Sequence, residues 1–129
     1  MKKVVLLLVC VMFASLSVEA QGVKFESGTW DKVLAQAKKK NKVVFVDVYT
    51  TWCGPCKVMS PTVEALGKEL VGQARILKID VDKNEAVANL YRNQSVPTLM
   101  IFKKGEIVWR TSGVMEKGVL LEQIKKFID

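Results

Sequence analysis

Residues 43–57 read Val-Val-Phe-Val-Asp-Val-Tyr-Thr-Thr-Trp-Cys-Gly-Pro-Cys-Lys. The first seven form a near-continuous β-branched and aromatic run, the pattern of a central strand buried on both faces. Thr50 to Gly54 turn the chain out of that strand. A helix is predicted from about residue 53 to residue 70. Met59, Val63, Leu66 and Leu70 make its apolar face, and Pro61 inside it is a kinking residue. Cys53 and Cys56 stand at the junction where the buried strand becomes the helix.

Elements follow on both sides. Residues 23–25 read as a short first strand. Ser27-Gly28-Thr29 offers capping residues before Trp30, Val33, Leu34 and Ala37, which recur at the spacing of one helical face, and Asn41 closes that helix. Downstream, residues 76–81 form a second apolar strand. Residues 84–92 form a short helix around Val87 and Leu90. Residues 98–102 and 107–110 are strands joined by a hairpin at Lys103-Lys104-Gly105-Glu106. A last helix covers about residues 116–128, with Leu120, Ile124, Phe127 and Ile128 on one face. The alternation predicts an α/β domain: a mostly parallel central sheet flanked by helices, ending in an antiparallel hairpin.

The 129 residues suffice for one domain. Lys2 and Lys3 precede an apolar run over residues 4–18, and Val18-Glu19-Ala20 supplies a cleavage site. This is the anatomy of a secretory signal peptide over residues 1–20, cut between Ala20 and Gln21, which leaves residues 21–129 as the domain. An uncleaved anchor and a lipoprotein with Cys10 as the lipidated residue are the alternatives; the run is shorter than a span needs, and Cys10 lies inside it. The basic start fits export to a bacterial periplasm. The formal charge is +7. Lysines are spread along the chain, apart from Lys38-Lys39-Lys40 with Lys42, which fall where a helix ends and complement its dipole. No nucleic-acid motif accompanies the charge, so no nucleic-acid partner is expected.

Histidine is absent. That removes Ser-His-Asp and Cys-His catalysis and most zinc sites, and a single Cys-x-x-Cys supplies two of the four ligands a metal would need. With Cys10 lost in the leader, the domain keeps Cys53 and Cys56. A bridge between them closes too small a loop to staple a fold, which shifts the weight to redox chemistry. Cysteines three apart at a helix start lie on one side of the first turn, so their sulfurs can bond without rearranging the backbone. Free N–H groups and the helix dipole favour negative charge there, which makes Cys53 the more acidic, attacking thiol and Cys56 the less exposed one. Pro55 needs no N–H early in a helix, and Gly54 keeps the approach open. Asp47 is a carboxylate inside an apolar strand, costly to bury unless paired or neutral. It is a proton acceptor for Cys56, or it points to a strand edge or caps a neighbouring element. Pro97 opens a strand, and base rates favour a trans bond before it.

From residue 25 to the C-terminus the chain resembles thioredoxin. The ordered marks are Val-Asp-Val at 46–48, Trp-Cys-Gly-Pro-Cys-Lys at 52–57, Pro61, Ile-Asp-Val-Asp at 79–82, Ser-Val-Pro-Thr at 95–98, Phe-Lys-Lys-Gly-Glu at 102–106 and Gly113. The resemblance implies the thioredoxin fold, with a central mixed sheet flanked by helices. It implies that Cys53 is the nucleophile, Cys56 the resolving cysteine and Asp47 the buried acid that accepts a proton. It makes Pro97 a cis-proline against the Cys53–Cys56 disulfide, gives the Val96 backbone a pairing role with an extended substrate, and lets Trp52 and Gly113 line the docking surface. It implies no cofactor. The partners would be disulfide-bearing substrate proteins and a membrane electron donor that re-reduces the enzyme, acting on a monomer. Gly-Pro between the cysteines resembles reducing members. A disulfide oxidase or isomerase is the alternative, as is a redox-inert binding or chaperone module, although such modules usually lose one cysteine. One position departs from the family: Ile76 stands where a lysine commonly lies beside the buried acid, and Lys78 is two residues on. That predicts a more strongly desolvated Asp47.

Overall fold

The computed structural model describes residues 30–128. The proposed leader, the strand at 23–25 and the capping residues 27–29 lie outside the described residues. The elements are α1 (Trp30–Lys39), β1 (Val43–Tyr49), α2 (Gly54–Glu69), β2 (Ala74–Asp80), a 3-10 turn (Val81–Lys83), α3 (Glu85–Leu90), β3 (Thr98–Lys103), β4 (Glu106–Ser112) and α4 (Lys117–Lys125).

The four strands form one sheet in the order β2-β1-β3-β4. β1 pairs with β2 in parallel and with β3 antiparallel, and β3 pairs with β4 antiparallel. The sheet is therefore mixed. Among the described residues its parallel part is one strand pair, because β3 enters the sheet reversed on the other side of β1. The seven residues of β1 are buried except for the half-buried Tyr49. Alternate side chains feed two cores. Val44, Val46 and Val48 pack with Trp30 and Val33 of α1 and Val87 of α3. Val43 and Phe45 pack with Met59, Val63 and Leu66 of α2 and with Leu120 and Ile124 of α4. Burying each valine, leucine, isoleucine, methionine or phenylalanine side chain of these cores contributes about 1.5–3 kcal/mol.

Local chemistry sets the element ends. Asn41 takes a left-handed φ of 53° just after α1, and the Lys42 N–H closes that end on the Ala37 carbonyl at 2.8 Å. Lys38 and Lys39 occupy the last turn of α1, and the Lys42 ammonium donates to the Gly72 carbonyl, so part of the lysine run serves the fold. Lys104 and Gly105 both have positive φ, 54° and 83°, as a tight two-residue hairpin requires. α2 continues through Pro61. In α3 the buried residues are Val87 and Ala88, whereas Leu90 is exposed, contrary to the sequence reading. A helix of six residues buries only one narrow stripe, and Tyr91, one turn after Val87, extends that stripe instead. α4 is regular only to Lys125; Phe127 and Ile128 pack half-buried from the turn beyond it. β2 begins at Ala74, two residues earlier than its apolar core indicates.

Candidate active site

Cys53 ends the turn out of β1 as the N-cap of α2. It has extended backbone angles (φ −87°, ψ 118°), and its sulfur accepts from the Cys56 N–H at 3.2 Å. That N–H is one of the donors a helix start leaves without an internal partner, so the site aims a dipole at the first sulfur. Pro55 sits in the first turn, where a missing N–H costs nothing. Cys53 and Cys56 are joined as a disulfide with Cα atoms 5.2 Å apart. Both are buried in this form, 6% and 3% exposed, and Cys56 is the deeper. Gly54 and Pro55 are exposed, and a side chain at Gly54 would meet open space.

The second wall of the site comes from the loop before β3. The Val96–Pro97 peptide is cis, as the family resemblance implies and base rates do not. The Val96 carbonyl oxygen lies 3.9 Å from Cys53 Sγ. Hydrogen bonds hold this loop: Thr98 Oγ1 donates to the Ser95 carbonyl at 2.6 Å, Ser95 Oγ donates to Ser112 Oγ at 3.1 Å, and the Gly113 N–H donates to the Pro97 carbonyl at 2.9 Å. Gly113 has φ +96°, a conformation side chains other than glycine rarely adopt. The structure thus brings Cys53, Cys56, Val96, Pro97 and Gly113 together. Trp52 stands at the rim, 72% exposed, with its indole N–H on Asp82 Oδ2 at 3.0 Å. Asp82 is a partner the sequence reading missed. It lies thirty residues away, and only the tertiary fold brings the two together.

Asp47 lies on the sheet face under α2, fully buried, and neither carboxylate oxygen has a hydrogen-bond partner among the described residues. It therefore neither points to a sheet edge nor caps an element. Burial pushes its carboxyl up from 3.8 to about 6, and the positive charge of Lys78 opposes that rise. The register corrects the placement of Ile76. Ile76 pairs with Phe45, and Lys78 is the residue directly beside Asp47. A motif alignment assigns the neighbouring lysine by sequence offset, whereas the strand pairing puts the chain's own lysine next to the acid. Tyr49, on the same face, is also raised, first by burial and then by the charges of Asp80 and Asp47. Among the described residues no group of three or more Cys, Asp or Glu could hold a metal ion, and no helix is long and apolar enough to cross a membrane.

This constellation can exchange disulfides. It has two sulfurs at a helix start, one accepting from the Cys56 N–H and 3.9 Å from a backbone carbonyl oxygen, and a buried carboxyl on the sheet face that the same helix covers. Comparison with known proteins agrees. The family model described as Thioredoxin matches residues 21–126. A thioredoxin-like protein of Synechocystis sp. is 42% identical over 106 residues, covering 82% of this chain and 98% of that protein. A thioredoxin of Staphylococcus aureus is 41% identical, covering 71% of this chain and 88% of its own length. Among solved structures, a thioredoxin of Nicotiana alata superposes with a TM-score of 0.74 at 35% identity, over 81% of this chain and 89% of that one.

Proposed function

This chain belongs to the thioredoxin family and is a thiol–disulfide oxidoreductase with a Cys-x-x-Cys pair, and on that premise we propose that it reduces protein disulfides in the periplasm. The observation that carries the reading is the Cys56 N–H aimed at Cys53 Sγ, with the Val96 carbonyl oxygen 3.9 Å from the same sulfur. In the reduced enzyme that N–H favours a thiolate on Cys53. The thiolate attacks one sulfur of a substrate disulfide; a mixed disulfide forms and the other substrate sulfur leaves as a thiolate. The Cys56 thiol gives its proton to Asp47 and attacks Cys53 Sγ. The Cys53–Cys56 disulfide forms, the second substrate thiol departs, and two electrons have passed to the substrate.

A partially protonated acid suits this step. A carboxyl raised to about 6 is a better proton acceptor near neutral pH than an ordinary aspartate. The extended substrate segment pairs with the Val96 backbone, and Trp52 and Gly113 flank it. Export rests on the leader pattern at residues 1–20, with the domain over residues 21–129. Outside the cytosol the spent disulfide needs a membrane electron donor for its return to the dithiol. The enzyme works as a monomer without a cofactor.

Redox titration against glutathione tests the direction of flow. A reductant gives a potential near about −270 mV, and a value near about −120 mV would make the protein an oxidant and overturn the proposal. Insulin reduction with dithiothreitol tests activity itself: Cys53→Ser removes the acceleration, and a variant as active as the parent would refute the dithiol mechanism.

A further inference from the structure

Lys78 is the strand neighbour of Asp47, yet its ammonium is spent elsewhere. Nζ donates to Ser60 Oγ at 2.8 Å and sits 4.7 Å from the centre of the Tyr49 ring. Asp47, fully buried, meanwhile has both oxygens without a hydrogen-bond partner among the described residues. A buried carboxyl beside an unrestrained lysine would draw the cation into a direct ion pair. Ser60 lies four residues after Cys56, one helical turn along α2, so the hydroxyl that holds the lysine is on the same side of the helix as the resolving sulfur.

We propose that Ser60 is a positioning residue: its hydroxyl anchors the Lys78 ammonium against Tyr49, short of Asp47, and so keeps Asp47 free to take the Cys56 proton. The inference rests on the proton-acceptor reading of Asp47 for its purpose, though not for its geometry. The groups facing Asp47 are few. β1 contributes Tyr49, and β2 contributes Lys78 and, one same-face step further, Asp80. α2, which covers this face, contributes Ser60 through its bond to Lys78 and the buried Cys56, while β3 and α4 bring apolar side chains such as Leu99 and Leu120 to this core. Lys78 is the one cation in that set. At its present distance it opposes the upward push of burial without cancelling it.

The test follows the Asp47 carboxyl carbon by NMR titration of the oxidised protein, where no turnover intervenes. In Ser60→Ala the lysine is released onto the carboxylate, and the Asp47 midpoint falls by about one pH unit. Ser60→Thr keeps a hydroxyl and restores the parent midpoint. In a Lys78→Met background, Ser60→Ala moves the midpoint no further. A midpoint that stays or rises in Ser60→Ala would overturn the proposal. So would a fall that persists without Lys78, because Ser60 would then act by another route. Alanine is at least as good a helix former as serine, so folding is preserved. If the Ser60→Ala midpoint falls while the pH profile of insulin reduction stays in place, the anchor stands and the proton-acceptor role of Asp47 is what fails.

Discussion

Replacing Asp47 by asparagine should stabilise this protein, and by an amount that depends on pH. The unfolded carboxyl titrates near 3.8 and the folded one near 6. Between those values the folded chain holds a proton that the unfolded chain has released, so stability falls as pH rises through the interval. Below 3.8 both states are protonated and burial of the neutral acid carries no charge penalty. Above 6 the folded state holds a buried carboxylate with no hydrogen-bond partner among the described residues. Two units at 1.36 kcal/mol each put the cost at about 3 kcal/mol. Asparagine keeps the shape and removes the charge. Asp47→Asn should therefore gain about 3 kcal/mol at pH 8 and almost nothing at pH 3. Urea unfolding of the oxidised protein reads this as a midpoint increase of roughly 1–3 M at pH 8, for a slope of about 1–3 kcal/mol/M. An equal gain at both pH values would refute the reasoning, because the benefit would then owe nothing to the charge. A loss of stability at pH 8 would show that the carboxylate has a partner.

Two further outcomes follow from the packing. Gly113→Ala should cost about 1–2 kcal/mol in thermal unfolding; open space surrounds the added methyl, so the whole cost comes from the backbone φ of +96°. An unchanged Tm would mean that the backbone relaxes out of that conformation. Phe102→Ala should cost about 3–5 kcal/mol, because the ring is fully buried and meets Trp30 and Tyr91 edge-on, each at 5.2 Å between centroids. A loss below about 1 kcal/mol by denaturant unfolding would show that the aromatic cluster does not hold α1 and α3 to the sheet.

The local features were legible in the chain. β1 appears as a run of buried side chains because both of its faces are covered, and its observed limits, Val43–Tyr49, match the apolar run. The hairpin is announced by Lys104-Gly105, and the two sulfurs at the start of α2 by their spacing. Periodicity and capping act over a few residues, so their physics can be read from neighbours in sequence. Leu90 shows the limit: its apolar character promised burial, but which stripe of a six-residue helix faces the sheet depends on what it packs against.

Amino-acid order alone determined that a redox-capable pair of sulfurs would cap a helix after a buried strand, and that an acid would sit within that strand. Tertiary structure decided what surrounds that acid. It placed Lys78 rather than Ile76 beside Asp47, sent the ammonium to Ser60, joined Trp52 to Asp82, and brought the Val96 carbonyl to the sulfur. These are contacts between residues eighteen or more positions apart. They depend on strand register and on where each side chain comes to rest, and neither is fixed by any short-range pattern in the chain.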